Sequence, residues 1–381
     1  MLMKYELSYW EKESFFKDID FAIIGSGIVG LSAAIHLKYL NRKHRVVVFE
    51  RGALPAGAST RNAGFACFGS MTEILDDLSH MSEDEVLAVV EKRWTGLQRL
   101  RAMLGDENIE FQQAGGYEMF TVAEAEKFKQ CEERIPELNE KLGRITACKN
   151  GYQIVDERIA EFGFSGIEHL ILNSPEGQVN TGKMMSAMLE KAKEKGVEIF
   201  NGIGVQYLED ENSTVRLGTE AGWEISAGRV IVAVNGFAKK LLPELDLYPA
   251  RNQVLLTQPI QNLKVKGCFH YDRGYFYFRN IGDRILLGGG RNLDFKTEET
   301  DGFGSNELIR TALQKLLTEV IYPDKPVLID RWWTGIMGLG SVKKPILEKT
   351  SSNVVAAVRM NGMGVAIGTL IGQEAAELVN S

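Results

Sequence analysis

Phe21-Ala-Ile-Ile-Gly25-Ser26-Gly27-Ile28-Val29-Gly30 is the stretch that decides how this chain folds. An apolar run of strand character enters a Gly-x-Gly-x-x-Gly turn, and a helix-compatible segment, Leu31 to Leu40, leaves it. A second apolar run, Val46-Val-Val-Phe-Glu50, then ends on an acidic side chain. Together these form a βαβ unit suited to a dinucleotide. Gly25 permits the tight turn, and Gly27 lets backbone amides approach a pyrophosphate. Gly30 removes the Cβ that would separate helix from sheet. The helix N-terminus offers free N–H groups and partial positive charge to the phosphates. Glu50 is placed to accept hydrogen bonds from a ribose diol and would repel a 2′-phosphate. This motif alone does not separate NAD from FAD.

The chain has 381 residues, beyond the usual limit of a single core, so two joined domains are expected. Its hydrophobic fraction of 44% and charged fraction of 25% are those of an ordinary globular protein. With a net charge of −7 and no basic block, neither nucleic acid nor an anionic membrane surface is indicated as a partner. Cys67, Cys131, Cys148 and Cys268 lie far apart without metal-ligand spacing, which reads as reduced thiols and no metal. No run is long and apolar enough for a transmembrane helix. The opening Met1-Leu-Met-Lys-Tyr-Glu is too charged for a signal peptide, so a cytoplasmic location is expected.

No internal repeat or low-complexity linker is visible. Ser82-Glu-Asp-Glu85 and Thr121-Val-Ala-Glu124 are capping boxes that open helices. Asn180 to Lys195 reads as a helix ended by Gly196. Strands are expected at Val197–Phe200, Thr214–Leu217, Trp223–Ser226 and Val230–Val234, a small antiparallel meander returning to a parallel sheet. Arg251–Thr257, Gly274–Arg279 and Arg284–Leu287 read as strands of a second unit. Near the C-terminus Val354–Val358 is a strand, Arg359–Gly364 a turn, and Val365 to Leu378 a helix. The fold class is therefore α/β, a Rossmann-like nucleotide domain interleaved with an antiparallel-sheet substrate domain of α+β character. The nucleotide domain is expected over residues 1–75, 150–237 and 331–381, and the substrate domain over 76–149 and 238–330.

After the second strand comes Gly57-Ala-Ser59-Thr60-Arg61-Asn62-Ala63-Gly64-Phe65, a loop of small residues suited to run under a flat ring. With the Pro175-Glu-Gly-x-Val-Asn helix start and the C-terminal glycine turn, the chain resembles the FAD-dependent D-amino-acid oxidase superfamily. Within it, the γ-glutamylputrescine oxidoreductase branch matches best, alongside glycine oxidase and sarcosine oxidase. Tyr275-Phe-Tyr277-Phe-Arg279, Asp283 to Gly290 and Trp333-x-Gly335 carry that resemblance over essentially the whole chain.

The resemblance implies FAD contacts from Gly25, Ser26, Gly27, Gly30, Glu50, Arg51, Ser59, Thr60, Arg61, Asn62 and Gly64. Ile28 and Val29 in the first turn, and Ala63 and Phe65 in the loop, belong to the same segments. Val205 would flank the adenine. Ala233, Asn235 and Gly236 would approach the nucleotide, with Asn235 replacing a usual small residue. Gly335, Ile336, Gly362, Met363, Gly364 and Val365 would surround the isoalloxazine. Hydride accepted at flavin N5 leaves negative charge near N1 and the C2 carbonyl, where a helix starting near Met363 would present its positive end. Some relatives attach flavin through a cysteine matching Ile336–Leu339; this chain has none there, so non-covalent FAD is expected.

The implied chemistry is oxidation of the C–N bond of a small amine or N-substituted amino acid to an imine. It needs alignment and a neutral nitrogen more than a strong acid–base pair. Period two puts Tyr275, Tyr277 and Arg279 on one strand face, two phenols and a guanidinium that could take a carboxylate. His270, just ahead of that strand, is the one histidine that reads as a site residue. Amino-acid oxidases of the superfamily carry a carboxylate-binding arginine soon after the Trp-x-Gly, and here Met337 stands in its place. That shifts the expected substrate toward an amine with a more distant acid group. The strand matching an oxygen-activating lysine reads Arg284-Ile-Leu286-Leu-Gly288, leaving the oxidant open. Two other readings stay open: an FAD-dependent 2-hydroxy acid dehydrogenase using His270 as base, and a flavin-binding protein without turnover.

Overall fold

A computed structural model describes residues 5–323 and 326–381; the first four residues of the charged N-terminal stretch lie outside the described residues. Two eight-stranded sheets organise the chain. In the first, Val354–Val358, Glu224–Val232, Ile19–Ile24, Val46–Glu50 and Glu198–Asn201 lie parallel in that order. These are the near-continuous apolar runs of the sequence, and a parallel sheet buried on both faces demands that pattern. Phe21 and Ile23 point into the core beneath the helices, Ala22 and Ile24 into the core on the opposite face. Ile346–Ser351 closes one edge antiparallel.

Helices Ile28–Leu40, Glu83–Leu104, Thr181–Glu194 and Gly364–Asn380 cover one face. Glu83–Leu104 opens on the Ser82 capping box. It was expected in the substrate domain, yet its Leu97, Leu100 and Leu104 are buried in the same core as Leu31 and Ile371. Each such side chain contributes about 1.5–3 kcal/mol of burial, which ties this helix to the core of the first sheet. Gly96 allows the contact, since a Cβ there would lie 2.3 Å from the Ala366 carbonyl oxygen.

Trp223–Ser226 and Val230–Val234, expected as separate strands, belong to one strand, Glu224–Val232. Its first half pairs antiparallel with Val215–Thr219, and its second half runs parallel to Ile19–Ile24. Gly228 lies between the halves, where a Cβ would press to 2.9 Å from the Asp20 carbonyl oxygen. The glycine serves close approach, not a turn.

The second sheet runs Ile329–Leu339, Tyr248–Thr257, Arg284–Gly289, Phe276–Ile281, Cys268–Tyr271, Gly116–Phe120, His169–Asn173 and Tyr152–Ile154. It is antiparallel except where Cys268–Tyr271 meets Gly116–Phe120. Helix Glu307–Leu316 covers its outer face over Phe269, Phe278 and Leu255. Three strands correct the expected domain limits. Tyr152–Ile154 and His169–Asn173, and residues 331–339, were assigned to the nucleotide domain but hydrogen-bond into this sheet. Their partners lie far away in sequence, which local alternation does not reveal. Cys268–Tyr271 is a further strand not anticipated, and the aromatic strand begins at Phe276, leaving Tyr275 in the preceding turn.

Candidate active site

A cavity of about 670 Å³ lies between the two sheets, and both uncapped glycine turns open into it. At one end Gly25, with φ +103°, donates its amide to Phe49 and turns the chain away from the strand. Gly27 is the N-cap of the first helix and provides no side-chain cap. A Cβ on Gly27 would come within 2.9 Å of Ser59 Oγ, which accepts the Ile28 amide at 3.0 Å. A Cβ on Gly30 would collide at 2.0 Å with the Gly25 carbonyl oxygen. Glu50 accepts from the Ser26 amide at 3.1 Å and its hydroxyl at 2.8 Å, and from the Gly52 amide at 2.9 Å. Arg51 lies 3.7 Å above the Phe237 ring, and Val205 closes this end with Ile203 and Gly204.

The middle of the cavity is floored by the loop after the second strand. Asn62 accepts from the Gly64 amide and the Thr181 hydroxyl and donates to the Ala58 and Ser59 carbonyls, fixing the loop's course. Arg61 donates to the Thr334 carbonyl, and Trp333 donates to the Arg61 carbonyl at 3.0 Å. Ser59, Arg61, Asn62, Ala63, Gly64 and Phe65 all face the cavity. Gly335, Ile336, Gly362, Met363, Gly364 and Val365, together with Met337, also line the cavity. The C-terminal helix starts there behind Met363, with no side-chain cap on its first amides. Asn235, at φ +45°, accepts the Met360 amide and holds the strand end beside it; Ala233 lines the cavity too.

Five sequence-named residues do not line the cavity. Ser26, Gly30 and Thr60 support it from behind, Thr60 donating to the Pro55 carbonyl. Gly236 is pinned under Met337, whose carbonyl oxygen would sit 2.4 Å from a Cβ. Arg279 departs most from expectation. It shares a strand face with Tyr277, but it is buried beyond the cavity's end and donates to the Val179 carbonyl at 3.0 Å. Gly64, which lines the cavity, packs against it, and Arg279 itself is not part of the cavity wall.

Tyr275, Tyr277 and His270 do line the cavity. Burial pushes the Tyr277 phenol up to about 12 and the His270 imidazole down to about 4. His270 is therefore neutral near pH 7, and its buried Nε2 has no hydrogen-bond partner among the described residues. Helix Met71–Leu78 adds Glu73, which sequence reasoning missed. Burial raises its carboxyl, but Arg93, 3.0 Å away, and Lys343 together bring it below the usual range. Asp76 is likewise matched by Lys343 at 3.0 Å. Arg291 faces the same end and lies over the Phe295 ring, with no acidic partner among the described residues. Its loop is anchored by the buried pair Arg251–Glu298 at 2.8 Å.

The starts of two adjacent helices, neither capped by the side chain of its own N-cap residue, open into one cavity, which suits a ligand carrying both a pyrophosphate and an electron-accepting ring. Fold and site define a dinucleotide-binding oxidoreductase. The family model described as FAD dependent oxidoreductase, DAO, matches residues 20–378, and the chain belongs to that family and binds FAD.

The chain is 24% identical over 374 residues to the gamma-glutamylputrescine oxidoreductase of Escherichia coli K12, covering 94% of this chain and 83% of that one. It is 25% identical over 280 residues to the glycine oxidase of Geobacillus kaustophilus, covering 71% and 69%. Among solved structures, L-proline dehydrogenase from P. horikoshii superposes with a TM-score of 0.75 at 19% identity, covering 96% of this chain and 94% of that one. Glycine oxidase from Bacillus cereus does so with a TM-score of 0.72 at 20% identity, covering 95% of each. At those identities the structural likeness shows the fold. No helix among the described residues is long and apolar enough to cross a membrane.

Proposed function

We propose that this enzyme oxidises the C–N bond of a small amine or N-substituted amino acid to an imine, which water then hydrolyses. The observation that carries this reading is His270, a neutral imidazole that lines the same cavity as the C-terminal helix start. FAD, when bound, supplies the two-electron acceptor for the hydride that leaves the α-carbon. His270 accepts an N–H of the substrate and so favours the neutral amine, whose lone pair assists hydride departure. Tyr277 stays a phenol throughout the working pH range and can donate to the substrate. Met337 offers no charge to an α-carboxylate, whereas Arg291 offers an unmatched one further along the wall. A substrate whose acid group is distant from the reacting amine fits both. The names of the relatives, a gamma-glutamylputrescine oxidoreductase and glycine oxidases, support an amine or amino acid donor.

FAD is held without a covalent bond in this reading: Ile336–Leu339 contains no cysteine, and burial keeps the cavity-lining Cys67 thiol protonated. Acid precipitation should release all the flavin into the supernatant, and flavin retained in the pellet would refute this. The function is tested by anaerobic flavin bleaching with a panel of amines, amino acids and 2-hydroxy acids. Bleaching by amines is the expected result. Bleaching by hydroxy acids alone, or by dithionite and no metabolite, overturns the proposal.

A further inference from the structure

Cys67, Glu176 and His270 come from three distant parts of the chain, yet their ligand atoms all lie within 4.8 Å of one another. Two of the three, Cys67 and His270, line the FAD cavity. We propose that these three side chains form a binding site for a divalent metal ion of the zinc class, with its open position toward the cavity.

The donor set is the first reason. A thiolate, a carboxylate and an imidazole suit Zn²⁺, and three protein ligands with one open position is the arrangement of an accessible zinc site. Zinc bonds of about 2.0–2.3 Å require donors roughly 3.2–3.8 Å apart, so side-chain rotations of about an ångström close the set. Two anions and a neutral ring leave the bound ion without net charge, which a buried site requires.

The second reason is that each donor is held and can be spared. Glu176 receives the Phe68 and Gly69 amides on one oxygen, at 2.7 and 2.9 Å, which orients the carboxylate and leaves further lone pairs. Gly116 makes room for it, because a Cβ there would meet Glu176 Oε2 at 1.9 Å. Cys67 makes a long contact of 3.8 Å to the Gly177 carbonyl, which Cys268 already serves at 3.2 Å, and its thiol lies beside Glu176 and Cys268. His270 is fixed edge-on to Phe65 and contributes the orphaned Nε2.

Neighbouring charges act in both directions. Arg279, buried beside Cys67 and Cys268, favours the thiolate but opposes the cation, while Glu73 faces His270 and favours the cation. Binding transfers the Cys67 proton to solvent, and the Glu176 proton in the fraction of molecules that carry it. A bound ion also occupies the imidazole nitrogen assigned above to the substrate, but the metal site stands on its own geometry and does not depend on that assignment.

The test is a Zn²⁺ titration of the FAD-loaded protein by calorimetry in two buffers of different ionisation heat, with Co²⁺ as a spectroscopic substitute. One ion per chain, release of one to two protons, and a thiolate-to-cobalt charge-transfer band are expected. Cys67→Ser and Glu176→Gln should each weaken binding at least about tenfold with FAD content unchanged. Absence of saturable binding, or binding that Cys67→Ser leaves intact, overturns the proposal. If Cys67→Ser fails to take up FAD, the wild-type cobalt spectrum decides: a complex without the thiolate band overturns it equally.

Discussion

Glu50 and Ser26 are joined twice, the carboxylate taking both the amide and the hydroxyl of the serine at 3.1 and 2.8 Å. The acid at the end of the second strand therefore clamps the glycine turn that the first strand feeds. Its other oxygen holds the Gly52 amide at 2.9 Å, so the same carboxylate fixes two loops beside the cavity.

Replacing Glu50 with Gln keeps the size of the side chain but weakens charge-assisted bonds that are each worth about 1.5–3 kcal/mol. FAD affinity of the apoprotein should fall roughly tenfold or more, with a lower melting temperature when FAD is absent. Fluorescence titration with FAD measures it. An unchanged dissociation constant would show that the clamp does not shape the site.

Arg279 leads to a contrasting expectation. Because Arg279 donates to the Val179 carbonyl beneath Gly64 and does not line the cavity, Arg279→Met should leave KM for acidic amines within about twofold. The variant's effect should fall on thermal stability and flavin retention, since the buried arginine supports the loop under the ring. A large rise in KM at constant FAD content would return Arg279 to the substrate site.

How far the sequence discloses this enzyme depends on how local each signal is. Gly25, Gly27, Gly30 and Glu50 were legible because the turn, the close approach and the strand end each impose a residue type within one βαβ unit. Period two correctly put Tyr277 and Arg279 on one face, but it carries no information about what covers that face further along. Gly64 and the segment ending at Val179 cover it, and both come from elsewhere in the chain. Glu73 was missed for the same reason: it sits on an ordinary amphipathic helix, and only tertiary packing brings it beside Arg93 and the cavity. That Trp223–Ser226 and Val230–Val234 join into one strand was not legible, because Gly228 interrupts the apolar pattern for the sake of a backbone contact made elsewhere in the chain.

Arg291 carries the prediction about substrate charge. Glu73 and Asp76 already have cationic partners, whereas Arg291 has no acidic one among the described residues. Arg291→Met should raise KM for amines with a distant carboxylate about tenfold, while leaving neutral amines and FAD content little affected. Steady-state kinetics on matched acid and amide substrates separates the cases. Equal losses on both would mean that Arg291 shapes the loop and does not read the charge.

Glu118 sets a pH dependence of stability. It is buried in the second sheet and accepts the amide and hydroxyl of Thr72, and burial pushes its carboxyl up to about 7 from 4.5. Between those values the folded chain keeps a proton that the unfolded chain has lost. The folded state then binds more protons, so this group's contribution to stability is full below pH 4.5 and declines as pH rises toward 7. His270 acts in the opposite sense, because the unfolded ring takes a proton below 6.5 that the folded ring refuses until about 4. Comparing wild type with Glu118→Gln cancels His270 and every other shared group. The variant should gain on wild type by about 1.4 kcal/mol for each pH unit between roughly 5 and 7, read by denaturant unfolding at saturating FAD. A difference that does not change with pH would mean that the Glu118 carboxyl is ionised in the folded enzyme across this range.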